Sequence, residues 1–254
     1  MLRPRLIPCL LIHNGGLYKT VEFGHPKYVG DPINAVRIYN EKEVDELIVV
    51  DIDASKNGTA PNNKLIEAVA TECRMPVCYG GGVKTVDDFV RIIGLGVEKV
   101  AVSSAAVNNP SLIDAAATTV GSQSVVVVID VKKTGLFNQY EVVTINASKR
   151  TGYDPVDWAK KMQALGAGEI ILNSVDNDGR MEGYDLHLVE AVRNAISTPL
   201  TILGGVGSLQ DVQELYQRFG IIGAAAGSFF VFKGKYRAVL LSYPNVEEKR
   251  ALYQ

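Results

Sequence analysis

Cysteine is scarce in this sequence: Cys9, Cys73 and Cys78 are the only three among 254 residues, an odd number with no CxxC spacing. That excludes a disulfide scaffold and a cysteine zinc site, and the set reads as reduced thiols of a cytoplasmic protein. Histidine is equally sparse, with His13, His25 and His187 in no HxxxH or other ligand pattern; metal catalysis has no support, and no metal is implied. A Walker A motif and a GxGxxG turn between strand and helix are both missing, which removes nucleotide hydrolysis and a Rossmann cofactor. No apolar run approaches the ~18 residues of a membrane span, and MLRPRLIPCLLI leads directly into strand-like sequence without a cleavage site, so export and insertion are both disfavoured. The formal charge is −2 and the pI about 6.0. Neither gives an electrostatic reason to expect nucleic acid or an anionic membrane, and both leave a small molecule or a protein as the partner. The single tryptophan, Trp158, falls at a helical position in DPVDWAKKM and reads as packing.

Short apolar runs are what the chain does have. RLIPCLLI, ELIVVDI, PVCYGGG, KVAVSS, SVVVVID, EIILNS, PLTILGG and IIGAAAG recur with amphipathic segments such as DDFVRIIGLG and SLQDVQELYQRFG between them. Near-continuously apolar strands alternating with helices describe a parallel sheet covered on its faces. Eight of them in 254 residues, 47% of which are hydrophobic, fit an α/β fold of one closed (β/α)8 TIM barrel, a single domain over 1–254. The second half also echoes the first. Glu46 in DELIVVDID aligns with Glu169 in GEIILNSVD, Gly81 with Gly204, and Ser104 with Gly227, each at an offset of 123. Two four-stranded half-barrels follow from that echo.

Glycines and acids cluster where strands should end. Gly80, Gly81 and Gly82 after the third strand and Gly204 and Gly205 after the seventh let backbone amides approach an anion, or simply make tight turns. Ser103 and Ser104 after the fourth strand, and Gly227 and Ser228 after the eighth, add donors to two phosphate sites on opposite sides of the mouth. Such a pair suits a long substrate with a phosphate at each end. Asp51, Asp53, Asp130, Asp176 and Asp178 stand at or just beyond strand ends, where such residues either face the pocket, Asp51 and Asp176 as substrate-binding candidates, or only cap helices and close turns. Asp130 closes an apolar run, so burial can tune it as a general acid or base; the alternative is a pocket-edge carboxylate paired with Lys19 or Lys132. His13 is either a substrate contact or a solvated loop residue. At the opposite strand ends, Arg5, Glu46, Lys99 and Glu169 form either a charged ring across the floor or ordinary surface ion pairs.

RLIPCLLI, VDELIVVDID, GGGVKTVDD, EKVAVSSAAVNNPSLI, TGYDPVDWAKKMQALGAGEIILNSVDNDGRMEGYDL and TILGGVGSLQD together resemble the HisF family, the cyclase subunit of imidazole glycerol phosphate synthase. The resemblance runs over nearly the whole chain. It implies a barrel whose bottom docks a glutaminase (HisH-like) subunit, whose charged gate of Arg5, Glu46, Lys99 and Glu169 admits ammonia, and whose top binds a bisphosphorylated substrate. It implies no cofactor. Lys19 then matches a lysine of the flexible first loop, and Asp130 one of two catalytic aspartates. The other aspartate's place is taken by Leu11. A leucine transfers no proton, so the pattern resembles divergent paralogs that work with a separate sugar amidotransferase in surface-polysaccharide (O-antigen) synthesis. The histidine-pathway cyclase itself and a non-catalytic scaffold activating a glutaminase are the two rivals.

Overall fold

The computed structural model describes residues 3–252. Eight parallel strands close on themselves: β1 Arg5–His13, β2 Leu47–Asp51, β3 Val77–Gly80, β4 Lys99–Val102, β5 Val125–Thr134, β6 Glu169–Ser174, β7 Leu200–Leu203 and β8 Gly223–Ala226. Each pairs with its neighbours in sequence, β8 returns to β1, and the β5–β6 pairing completes the ring. This is a (β/α)8 barrel, as the eight apolar runs predict.

Helices start where the sequence supplies caps, and the caps repeat. Asp31 accepts from the Asn34 amide ahead of Pro32–Glu41, and Asp154 caps Pro155–Ala164 in the same way, each with proline at the first turn. Asn62 caps Asn63–Glu72 and Asp185 caps Leu186–Arg193. Thr85 with Asp88 and Ser208 with Asp211 form reciprocal capping boxes at Val86–Gly94 and Leu209–Phe219. All three pairs are separated by 123 residues. The half-barrel echo therefore extends from the strands to the hydrogen bonds that begin the helices.

Side-chain alternation splits β1 between two cores. Leu6, Leu10 and Ile12 join the large cluster between sheet and helices, while Ile7 and Cys9 join a smaller one inside the barrel with Ile48, Cys78, Ala101, Val126, Ile171 and Ala225. Trp158 is buried in the outer core and stacks on Tyr153 at 4.7 Å. Cys9, Cys73 and Cys78 are free thiols.

Two hairpins rise from the top of the barrel. The segment after β5 continues antiparallel as Gln139–Thr144 and Lys149–Arg150. The first loop is not irregular: Gly16–Val21 and Gly24–Gly30 pair with each other, and the former with β1. No helix among the described residues is long and apolar enough to cross a membrane.

The glycine turns are held by close backbone approach. A Cβ on Gly81 would lie 2.5 Å from the Asp51 carbonyl, and one on Gly204 2.5 Å from the Ser174 carbonyl, the same contact in each half. Gly205, at φ +113°, leaves 2.1 Å to the Gly183 carbonyl. Gly205→Ala is therefore expected to lose about 1–3 kcal/mol in urea melts. Gly94→Ala, at an open helical position, is expected to be neutral or more stable by about 0.5 kcal/mol. Equal melts for both variants would contradict this account of the turns.

Candidate active site

The lumen is organised by the same alternation, level by level. At the floor, the Arg5 guanidinium bridges Glu46 and Glu169, the latter at 2.7 Å, and Lys99 Nζ lies 2.8 Å from each of the same carboxylates. Thr201, fully buried, donates to Glu169 Oε1 at 2.6 Å. Both glutamates are nearly inaccessible. Burial alone would lower the Arg5 and Lys99 pKa values, yet the two carboxylates hold both above their ordinary range. Burial likewise opposes ionisation of Glu169, and Lys99 and Arg5 outweigh it, leaving its pKa lowered. This is a closed ring of two cations and two anions, not a set of surface pairs.

Above it lies the apolar belt of the inner cluster, with Leu11, Val50, Val128 and Leu203 packed on it. A cavity of about 140 Å³ opens from there to the top face. Asp130 stands in its wall. Its Oδ1 accepts from Asn173 Nδ2 at 2.9 Å and its Oδ2 from Ser103 Oγ at 3.1 Å. Burial pushes its pKa up to about 6 against the pull of those two bonds, and the charge of Asp178 adds to the rise. Neither Lys19 nor Lys132 pairs with it. Asn173 Oδ1 is buried with no hydrogen-bond partner, a free acceptor beside Asp130.

Strand register places Leu11 against this carboxyl. Leu11 pairs with Val50, Asp130 pairs with Asn173, and Val50 and Asn173 are counterparts at the 123-residue offset. Leu11 thus occupies in the first half-barrel the position that Asp130 occupies in the second. One side of the rim carries a carboxyl and the other an isobutyl group.

The model of the family described as "Histidine biosynthesis protein" matches residues 5–237. The "Putative imidazole glycerol phosphate synthase subunit HisF" of Leptospira interrogans is 55% identical over 253 residues, 100% of both chains. The "Putative imidazole glycerol phosphate synthase subunit hisF3" of Vibrio vulnificus is 53% identical over 98% of this chain and 96% of its own. The imidazole glycerol phosphate synthase subunit HisF of Lactococcus lactis subsp. cremoris (strain SK11) is 41% identical over 91% and 89%. The chain belongs to the HisF family.

In this HisF-family barrel the cavity is lined by Lys19, Asp51, Gly81, Ser103 and Ser104, and, across the mouth, by Gly227 and Ser228. Ser104 Oγ also accepts from the Ile145 amide, which ties the second hairpin to the rim. Gly82, Gly204 and Gly205 are not in the wall; they pack against neighbouring loops. Asp176 is outside it too, accepting from the Lys133 amide at 2.7 Å, whereas Asp178 lines the cavity and accepts from Thr20. Lys19 is only 3% exposed and donates to the Cys9 carbonyl; burial lowers its pKa.

Three contributors escape the sequence reading: Asn173, Thr201 and the ordered first hairpin. The first carries a legible signal, because counting inward by twos from Glu169 reaches Asn173; Thr201 pairs in register with Ile171 and is brought to Glu169 by the fold. Among the described residues no three His, Cys, Asp or Glu side chains converge as a metal site.

Two outcomes are expected. Glu169→Gln should cost about 3–5 kcal/mol at neutral pH, because it leaves two cations short of a counter-charge in a buried network. A carboxylate with a lowered folded pKa stabilises above its ordinary value of 4.5, and that contribution is lost as pH falls through the folded value. The gap between wild type and variant should therefore close on acidification; a gap independent of pH would contradict the ring. For Asp130 the sign reverses, since a folded value near 6 against 3.8 means its stabilising contribution is present below 3.8 and lost as pH rises through 6. Its carboxyl carbon should titrate near 6 by NMR, and a midpoint near 4 would refute the burial argument.

Proposed function

We propose that this chain is the synthase subunit of a glutamine amidotransferase complex, taking ammonia from a HisH-like glutaminase docked at the barrel floor. In this reading it works in the cytoplasm and outside histidine synthesis, supporting sugar amidination in surface-polysaccharide (O-antigen) synthesis, with a separate sugar amidotransferase as further partner. The family supports the glutaminase partner, and the ring of Arg5, Glu46, Lys99 and Glu169 supports a gated entry beneath the apolar belt. Two phosphate sites, formed around Gly81 with Ser103 and Ser104 and around Gly204 and Gly205 with Gly227 and Ser228, hold the substrate. Lys19 and Asp51 complete that grip, and Gly82 and Asp176 shape the turns around it.

The observation that carries the departure from the cyclase is Leu11 at the register position of Asp130. Proton transfer to and from a cyclising intermediate uses positioned groups on both sides, and loss of one costs ~10²–10⁴ in rate. Asp130, poised near 6, remains as the surviving carboxyl of the two register positions. The rival reading as the histidine-pathway cyclase draws on the likeness to the Lactococcus subunit and on that same Asp130.

Ammonium salt and the bisphosphorylated cyclase substrate, given to wild type and to Leu11→Asp, separate the two. The expected result is turnover at least ~10²-fold higher in the variant. Wild-type turnover matching the variant's would overturn the proposal in favour of the cyclase. Failure of the substrate to bind would leave the glutaminase-activating scaffold.

A further inference from the structure

We propose that His13, held by Asp53, is a second acid/base group of this barrel, serving the side of the rim where Leu11 stands at the register position of Asp130. The inference rests on the reading above that a phosphorylated substrate occupies the mouth.

The geometry is that of a carboxylate–imidazole dyad. His13 Nδ1 is 2.7 Å from Asp53 Oδ1, and Asp53 Oδ2 accepts from the Asn14 amide at 2.7 Å. The other ring nitrogen, Nε2, is 3.1 Å from Asn14 Nδ2. Burial of Asp53 opposes its charge, but the Asn14 amide and the His13 bond outweigh it and hold the carboxylate below its ordinary range. An ionised Asp53 accepts the Nδ1 proton, which leaves the lone pair on Nε2. Tyr18 meets the imidazole edge-to-face at 4.8 Å and limits its rotation. Asp53 is itself fixed from below, because its backbone amide donates to Asp51 Oδ1 at 3.0 Å. A ring held on one nitrogen by a fixed carboxylate, with its other nitrogen an acceptor engaged only by the exposed Asn14 amide, is arranged for proton transfer and not for packing.

The dyad stands at the mouth, just above the cavity wall. Leu11 lines the cavity two residues before His13, and Asp51, Ile52 and Ser55 line it around Asp53. His13 also continues the inward series of Arg5, Ile7, Cys9 and Leu11, one level higher on the same strand. A bisphosphorylated molecule longer than the cavity rises to this level. The step is then simple: a substrate N–H or C–H proton passes to Nε2, giving an imidazolium whose Nδ1–H stays on the Asp53 carboxylate, and the same proton returns to the departing group. No other reactant is consumed. Asn14 yields Nε2 to the substrate during the exchange.

Diethyl pyrocarbonate, which acylates unprotonated imidazole nitrogen, tests the contact on the full chain. Peptide masses distinguish His13 from His25 and His187. The bisphosphorylated cyclase substrate, with its binding followed by calorimetry in parallel, is expected to abolish most labelling of His13 and to leave His187 unchanged. The residual wild-type turnover of that substrate with ammonium is expected to fall about 10²-fold in His13→Asn with KM little altered, and to return in part when imidazole is added to His13→Ala. Binding without protection of His13 would overturn this assignment and leave the proposed function standing. Protection with turnover absent, or unchanged in His13→Asn, would overturn the acid/base role. No binding at all would overturn the proposed function and this inference with it.

Discussion

Everything in this barrel depends on the period of two along its strands. Because successive side chains alternate between lumen and helical shell, every second residue of a strand faces the interior, where inward residues of different strands stack in layers. Arg5, Glu46, Lys99, Glu169 and Thr201 therefore arrive at one level although they are far apart in sequence, and there they satisfy one another. Two cations and two carboxylates buried singly would be prohibitive; as a ring each charge has two partners of opposite sign. The ring sits at the entrance to the inner apolar cluster, which holds no charge until Asp130 and Lys19 near the top. Polarity in the lumen is thus confined to its two ends.

The twofold echo makes the exception visible. Caps, glycine contacts and floor glutamates repeat at one offset, so the two half-barrels impose similar geometry on their rims. At corresponding register positions one rim presents Asp130, wrapped by Ser103 and Asn173, and the other presents Leu11. What changed is the chemistry available on that side, where the His13–Asp53 pair stands two residues beyond Leu11 along the strand.

Much of this was legible in the residues. Strands buried on both faces are almost continuously apolar, and eight such runs alternating with amphipathic segments and echoing at a fixed offset fit a closed barrel, so the barrel and Asp130 at the end of one run could be read from the residues. The ring could be named but not chosen over surface pairs, since sequence does not say that four strand starts converge. The first hairpin was missed because KTVEFGHPKYVG mixes charge, proline and glycine in no clean alternation, and its pairing is fixed by β1. Asp176 and Asp178 stand two residues apart in a loop without periodicity, and only the fold shows that Asp178 reaches the cavity while Asp176 holds a backbone amide. Gly204 and Gly205 fit an anion cradle and a close backbone contact equally well on paper, and only the fold shows which carbonyls they approach.

The central claim is that the floor charges act as one network. A double-mutant cycle between Arg5→Met and Lys99→Met, measured by urea melts near pH 8, tests it directly. In either single variant the remaining cation still bridges Glu46 and Glu169, whereas in the double variant neither carboxylate has a counter-charge. The account expects the double variant to lose more than the sum of the two, by about 1 kcal/mol or more. Losses that add to within about 0.5 kcal/mol would show separate ion pairs and contradict it.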